Sequence, residues 1–72
     1  MKYLDARNLR CPLPLLRLKQ QLNTMAAAEE IRVDTTDPGS VRDFQAFAKQ
    51  TGNELLGQSK WGNEFLFFLK RK

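Results

Sequence analysis

Phe65-Leu66-Phe67-Phe68-Leu69 is the stretch that decides the fold, because five consecutive residues are apolar. A strand alternates its side chains between the two faces of a sheet, so this segment presents apolar groups on both. Two-sided burial predicts a central strand, or a strand whose outer face meets a partner. If Phe65, Phe67 and Leu69 point toward the core, Leu66 and Phe68 lie on the opposite face of the sheet.

Three more strands are predicted around this one. The apolar run belongs to a strand from Glu64 to Lys70, and Gly62-Asn63 is a hairpin signal that joins it to a strand from Glu54 to Trp61. Glu30 to Thr35 alternates with a period of two, which is typical of a half-buried strand. Tyr3-Leu4-Asp5 is a short strand candidate near the N-terminus.

A first amphipathic helix is predicted from Pro14 to about Met25, because its apolar residues fall at helical spacing. Leu16 is expected to widen its buried stripe. Helix propensity favours an extension of this helix through Ala26-Ala27-Ala28. The apolar positions of the predicted core stripe are Leu15, Leu18, Leu22 and Met25.

A second helix is predicted after the third loop, where two helix-start signals overlap. Asp37-Pro38 is an N-cap followed by proline at the first helical position, and Ser40 with Asp43 is a variant of the capping box. The helix should run to about Thr51 and end at Gly52 as a left-handed C-cap. Its predicted buried residues are Val41, Phe44, Phe47 and Ala48.

The order of elements predicts the fold class. A single domain spanning residues 1–72 is expected, with the order β-α-β-α-β-β. Right-handed crossovers place both helices in one layer, so the predicted α/β (α+β) architecture is a two-layer sandwich. One four-stranded mixed sheet would carry two helices on one face.

Composition narrows the classes of function. Twelve basic and eight acidic residues give a net charge of +4, densest at Lys70-Arg71-Lys72 and ordinary for a small domain. Histidine is absent and no metal-ligand cluster is present, so we expect neither a metal nor another cofactor. The N-terminus lacks a signal-peptide pattern and no segment approaches membrane-spanning length, so a cytoplasmic location with a reduced thiol is expected.

The only cysteine lies in the turn Arg10-Cys11-Pro12-Leu13-Pro14. Because a residue before proline avoids helical geometry, Cys11 is predicted as the N-cap of the first helix, with Pro12 as its first residue. Leu13 could then direct its N–H to the cap side chain. Arg10 and the helix dipole would together lower the pKa of the thiol by roughly one pH unit. This interpretation makes Cys11 a nucleophile.

Three alternatives compete with a reactive thiol. A lone cysteine is most often a small buried hydrophobe, but two prolines in one turn constrain the backbone more than the packing of a thiol requires. An RNA-binding or regulatory module could use Lys60, Trp61 and the basic tail, although the net charge alone does not predict RNA contact. A structural domain could pair weakly with a second copy through Leu66 and Phe68, the chain being otherwise a monomer.

The chain resembles the TusA (SirA-like) sulfur-carrier family along essentially its whole length. The resemblance rests on the Cys-Pro-x-Pro signature and on four flanking motifs in the same order. These motifs are Leu4-Asp5-Ala6-Arg7, Leu9-Arg10 before the cysteine, Asp37-Pro38-Gly39-Ser40 with Asp43, and Thr51-Gly52 before a basic hairpin. It implies a two-layer sandwich with an internal C-terminal strand.

The resemblance also implies a role for each residue of the turn. Cys11 would accept sulfane sulfur as a persulfide from a cysteine desulfurase or rhodanese-type donor and relay it to an acceptor protein. It would be a carrier, a sulfurtransferase that does not turn over substrate alone. Pro12, Leu13 and Pro14 would shape its turn, while the partner-docking positions by the same resemblance are Arg10, Lys19 and Asp37.

The resemblance leaves the pathway open. In the best-known members of the family the relay ends in thiolation of the tRNA wobble uridine, and other branches are linked to sulfur oxidation, selenium metabolism or cofactor assembly. Leu13 stands where many members have an acidic residue, which changes the charge beside the sulfur. The identity of the donor and of the acceptor is therefore not predicted.

Overall fold

The computed structural model describes all residues, 1–72, and contains six elements in the predicted order. Two helices pack on one face of a four-stranded mixed sheet, which confirms the predicted fold class. Neither helix is both long enough and apolar enough to cross a membrane. The elements are β1 (Lys2–Ala6), α1 (Leu13–Leu22), β2 (Glu30–Thr35), α2 (Gly39–Thr51), β3 (Glu54–Trp61) and β4 (Glu64–Lys70).

The sheet has the strand order β1-β2-β4-β3, so the apolar strand β4 is internal, as predicted. β1 and β2 are parallel, whereas β4 is antiparallel to both of its neighbours. In the register of the central pair, Val33 lies opposite Phe67 and Ile31 opposite Leu69. These four residues are fully buried, because both helices cover this face of the sheet.

The core forms between the inner face of the sheet and the two helices. The rings of Phe44 and Phe67 are its centre, with centroids 4.5 Å apart and an interplanar angle of 43°. Fully burying one such side chain contributes about 1.5–3 kcal/mol. Phe65 is half-buried at the edge of the core, while Leu66 and Phe68 are half-buried on the opposite face, as the alternation of β4 predicts.

The end of the first helix differs from the prediction. α1 stops at Leu22, three residues before Met25, and Ala28 adopts a left-handed conformation with φ 65°. The N–H of Ala28 donates to the carbonyl of Arg71, and the N–H of Arg71 donates to the carbonyl of Glu29. These contacts with the C-terminal segment override the helix propensity of the alanines. Leu16, expected in the buried stripe, is exposed.

The bounds of the second helix are close to the prediction. Gly52 caps α2 with φ 80°, and its N–H donates to the carbonyl of Ala48. At the other end, Pro38 already has helical dihedral angles, and Asp37 Oδ1 accepts the N–H of Gly39 at 3.3 Å. The capping box predicted from Ser40 and Asp43 is absent, because the side chains of these two residues bond elsewhere.

The sheet face that carries no helices is polar at its centre. Asp34 is only 3% exposed there. Its carboxylate accepts two hydrogen bonds from Arg32, at 2.9 and 3.0 Å, and a third from the hydroxyl of Tyr3 at 3.0 Å. The guanidinium of Arg32 also lies over the Tyr3 ring. Leu66 and Phe68 therefore lie beside a polar cluster whose members hydrogen-bond to one another. Dimerisation through this face stays a hypothesis.

Candidate functional site

The topology brings the starts of the two helices together. β1 and β2 are parallel neighbours, and each leads through a loop into a helix that packs on the same face of the sheet. Both helices therefore begin at the same end of the molecule. Cys11, in the loop before α1, meets Asp37 and Asp43, which lie just before α2 and in its second turn.

The turn that holds Cys11 differs from the predicted N-cap geometry. Pro12, with φ −96° and ψ 14°, occupies the N-cap position, and α1 begins at Leu13. The N–H of Leu13 donates to the carbonyl of Arg10 at 2.8 Å, so it is not directed at the sulfur. The Cys11–Pro12 peptide bond is cis. The prediction that Cys11 caps the helix is therefore wrong, because a backbone turn from Arg10 to Leu13 takes the place of the cap.

Pro14 and Leu13 point in different directions at this turn. Pro14 is fully buried in the core, whereas Leu13 is 43% exposed. The buried ring fixes the chain to the body of the protein, and the exposed leucine lies two residues after the cysteine. An apolar side chain thus stands in the open near the thiol, where a docking protein would contact it.

Asp37 links the two helix starts. Its Oδ2 accepts the backbone N–H of Cys11 at 2.6 Å, while its Oδ1 accepts the N–H of Gly39. A carboxylate that accepts two backbone N–H groups holds both segments in a fixed relation. Asp37 was predicted to dock partners, and the structure gives it a further contact with the backbone of the cysteine itself.

The sulfur of Cys11 is exposed and contacts a single charged side chain. Its Sγ–H donates to Asp43 Oδ2 at 2.6 Å. This hydrogen bond raises the pKa of the thiol above its ordinary value, and partial desolvation and the negative charges of Asp43 and Asp37 act in the same direction. Arg42 opposes them. The predicted lowering of the thiol pKa is therefore wrong, because the nearest charge is a carboxylate.

Neither of the other two predicted docking residues, Arg10 and Lys19, bonds to Cys11 with its side chain. Arg10 is exposed next to Cys11, and its side chain forms no ion pair. Lys19 is in the last turn of α1, where its ammonium group lies 5.7 Å from the centre of the Phe47 ring. The structure thus brings Asp37 to the cysteine but places Lys19 at the opposite end of the helix.

Lys19 borders an open groove of about 690 Å³ between the C-terminal ends of the helices. Leu22 and Phe47 form its apolar wall, and the other cations at its rim are Arg71 and Lys72. None of these three cations forms a salt bridge within the chain. The groove is therefore positively charged and distinct from the thiol end.

Sequence reasoning missed the role of Asp43. Its carboxylate was interpreted as a helix cap, yet it is the acceptor for the thiol. The signal was present in the predicted topology, since two parallel strands followed by helices on one face bring both helix starts together. No group of three or more potential metal ligands converges here or elsewhere in the chain.

Comparisons with known proteins show which family this chain resembles. The model of the family described as sulfurtransferase TusA matches residues 2–71. The sulfur carrier protein TusA of Allochromatium vinosum is 54% identical over 68 residues, which cover 94% of this chain and 90% of that protein. A putative sulfur carrier protein of Neisseria meningitidis serogroup A is 41% identical over 69 residues, covering 96% and 93% of the two chains.

A solved structure supports the fold independently. The crystal structure of the SirA-like protein from Desulfitobacterium hafniense superposes with a TM-score of 0.85, covering 97% of this chain and 96% of the other at 22% identity. At that identity the likeness concerns the fold alone. With the family model matching nearly the whole chain and a curated relative at 54% identity, the chain belongs to the TusA sulfurtransferase family of sulfur carriers.

Proposed function

We propose that this protein carries sulfane sulfur on Cys11 as a persulfide, accepting it from a cysteine desulfurase or rhodanese-type donor and passing it to an acceptor protein. The observation that carries this proposal is the position of the only thiol, exposed at the end of the sheet and held by its backbone N–H. Family membership supports a sulfur relay. The chain acts as a carrier between enzymes.

The transfer is an exchange at sulfur. The sulfur of Cys11 attacks the terminal sulfur of the donor persulfide, forming one S–S bond while the bond between that sulfur and the donor's cysteine breaks. The thiol proton leaves Cys11, and the departing donor thiolate takes up a proton. The product carries its negative charge on the outer sulfur, farther from the backbone. The reverse exchange, with an acceptor thiolate, delivers the sulfur.

The surface around the thiol supplies the docking site in this proposal. Pro12, Leu13 and Pro14 fix the direction of the turn, and the exposed Leu13 and Arg10 offer an apolar and a cationic contact beside it. Lys19 would extend the contact along α1. We further propose that residues 1–72 act as a single domain in the cytoplasm, where the thiol stays reduced.

Intact-mass spectrometry tests the proposal directly. After incubation with a cysteine desulfurase and cysteine, the wild type should gain one sulfur, about 32 Da, as expected for persulfidation of a single thiol. The variant Cys11→Ala removes the only thiol and should gain nothing. Circular dichroism of both proteins controls for folding. A wild type that stays unmodified by both desulfurase-type and rhodanese-type donors would overturn the proposal.

RNA binding is a second candidate, favoured by the groove whose rim carries Lys19, Arg71 and Lys72 without acidic partners. An interaction of this kind should weaken steeply as salt increases, because cations at the rim would displace counterions from the phosphates. It should be unaffected by Cys11→Ala and weakened by Arg71→Ala. Filter binding or fluorescence anisotropy with a tRNA at several salt concentrations distinguishes it from a function located at the thiol.

A further inference from the structure

The carboxylate of Asp43 has one polar partner in the protein, the thiol of Cys11. Its Oδ2 lies 2.6 Å from Sγ, and Asp43 takes part in no other side-chain hydrogen bond and in no salt bridge of the chain. A carboxylate at that distance can only accept. The contact therefore exists as a hydrogen bond only while the sulfur carries a proton.

Asp37 holds the backbone of Cys11 in the same position whether or not the sulfur is loaded. It holds the N–H of Cys11, a group that keeps its proton whether or not the cysteine carries extra sulfur. The backbone thus stays in place through a loading cycle. What changes on loading is the sulfur facing Asp43, which loses its proton when it forms the new S–S bond.

We propose that Asp43 sets how tightly this carrier holds its sulfur, by stabilising the unloaded thiol through a hydrogen bond and repelling the negatively charged persulfide of the loaded form. The inference rests on the proposed function. In the loaded form Sγ has no hydrogen to donate, and the carboxylate of Asp43 and the negatively charged outer sulfur repel each other. Both effects favour the unloaded state, so they favour delivery of the sulfur and direct the outer sulfur away from α2.

The exchange that Asp43 biases is balanced in atoms and charge. Cys11–SH reacts with R–S–S⁻ to give Cys11–S–S⁻ and R–SH. One S–S bond forms at Sγ, one S–S bond breaks at the donor's R–S sulfur, and one proton moves from Cys11 to the leaving thiolate. Neither oxidant nor reductant is consumed, since the oxidation level of the sulfane sulfur is carried over.

The other charged groups near the sulfur define the controls. Asp37 and Asp43 carry negative charge, and Arg42 and the neighbouring Arg10 carry positive charge. Asp43→Asn keeps a side chain of nearly the same shape, removes the negative charge and replaces one carboxylate oxygen with an NH2 group. Glu54→Gln makes the same change of charge at an exposed site at the start of β3, outside every salt bridge of the chain.

The experiment measures the loading equilibrium. Wild type, Asp43→Asn and Glu54→Gln are equilibrated without oxygen in a fixed mixture of glutathione persulfide and glutathione, and intact mass gives the loaded fraction. The ratio of loaded to unloaded Asp43→Asn should exceed that of the wild type by about three- to tenfold, as expected when a charge-assisted hydrogen bond at an exposed site is lost. Glu54→Gln should match the wild type.

A second measurement guards against a purely structural effect. The rate at which iodoacetamide alkylates unloaded Cys11 follows the thiolate fraction, so its midpoint should lie at lower pH in Asp43→Asn than in the wild type. Asp43→Ala repeats both measurements if Asp43→Asn does not fold. Equal loading ratios in wild type and variant would overturn the inference while leaving the carrier function intact. A wild type that takes up sulfur neither from glutathione persulfide nor from desulfurase-type and rhodanese-type donors would overturn both.

Discussion

The two helix starts lie side by side, yet one is anchored within the protein and the other is presented to solvent. In the first turn of α2, Ser40 is 1% exposed, and its hydroxyl lies 2.6 Å from both Thr35 Oγ1 and the carbonyl oxygen of Asp37. Before α1, by contrast, Cys11 is exposed. The turn that presents the thiol is therefore held by Asp37 and Asp43, which belong to the other helix start. The anchored start supports the exposed one.

The largest expected effect comes from breaking the anchored start. Ser40→Ala leaves the buried hydroxyl of Thr35 without a side-chain partner, so the free energy of unfolding should fall by about 1–3 kcal/mol. Urea denaturation measures the loss as a lower midpoint. Ser59→Ala, at an exposed position of β3, should change stability by no more than about 0.5 kcal/mol. Equal midpoints for the two variants would contradict the contrast between the starts.

A smaller effect is expected from cutting the link between the two starts. Asp37→Ala removes the acceptor for the N–H groups of Cys11 and Gly39, which should cost about 0.5–2 kcal/mol, as for a lost helix cap. Asp37→Asn keeps one oxygen and should lose less. Amide hydrogen exchange of Cys11 should become faster in Asp37→Ala. Unchanged exchange at that amide would show that Asp37 does not position the turn.

The smallest expected effect is the pH dependence that the Cys11 thiol, at the start of α1, gives to the free energy of unfolding. The hydrogen bond to Asp43 raises the pKa of the Cys11 thiol above the ordinary value of 9.0, so the folded state favours the protonated thiol. This contribution is fully present below the unfolded pKa and is lost as the pH rises through the folded pKa. The wild type should therefore lose unfolding free energy relative to Cys11→Ala above about pH 9.

Urea titrations of the two proteins at neutral and alkaline pH measure this difference. Comparing the two proteins removes the contributions of the ionisable groups that they share. When Cys11→Ala is compared with its parent in the Asp43→Asn background, the loss of unfolding free energy at alkaline pH should be smaller. The reason is that the acceptor of the thiol hydrogen bond has lost its charge. A wild type that gains stability relative to Cys11→Ala with rising pH would contradict the sign of the shift.

The elements that the sequence predicted well depend on local pattern. β3 and β4 have their predicted bounds because the hairpin signal at Gly62-Asn63 and the alternation around it involve neighbouring residues. Gly52 ends α2 as predicted, since its left-handed conformation is a local requirement. Ala28 was misjudged because its partner, Arg71, lies in the C-terminal segment. Helix propensity carries no information about such a contact.

The candidate site, too, could be predicted from the sequence only where it depends on neighbouring residues. Its proposed reactive residue is indicated by a single cysteine that precedes two prolines, but the environment of that residue comes from far along the chain. Asp37 and Asp43 follow Cys11 by 26 and 32 residues. Arg10 and the helix dipole were together expected to lower the pKa of the thiol, because both are local to the turn. The structure places a carboxylate closer, and that reverses the sign of the pKa shift.

Because the sulfur lies at one end of so small a protein, a donor and an acceptor would have to bind one after the other. The accessible surface of the protein totals 4556 Å². A standard protein interface covers about 800 Å² on each side, roughly a sixth of that total, and any enzyme reaching Sγ must cover the same patch. Two such enzymes would overlap in space. In the proposed relay a donor must therefore depart before an acceptor can arrive, and the sulfur travels free of both during the interval between them.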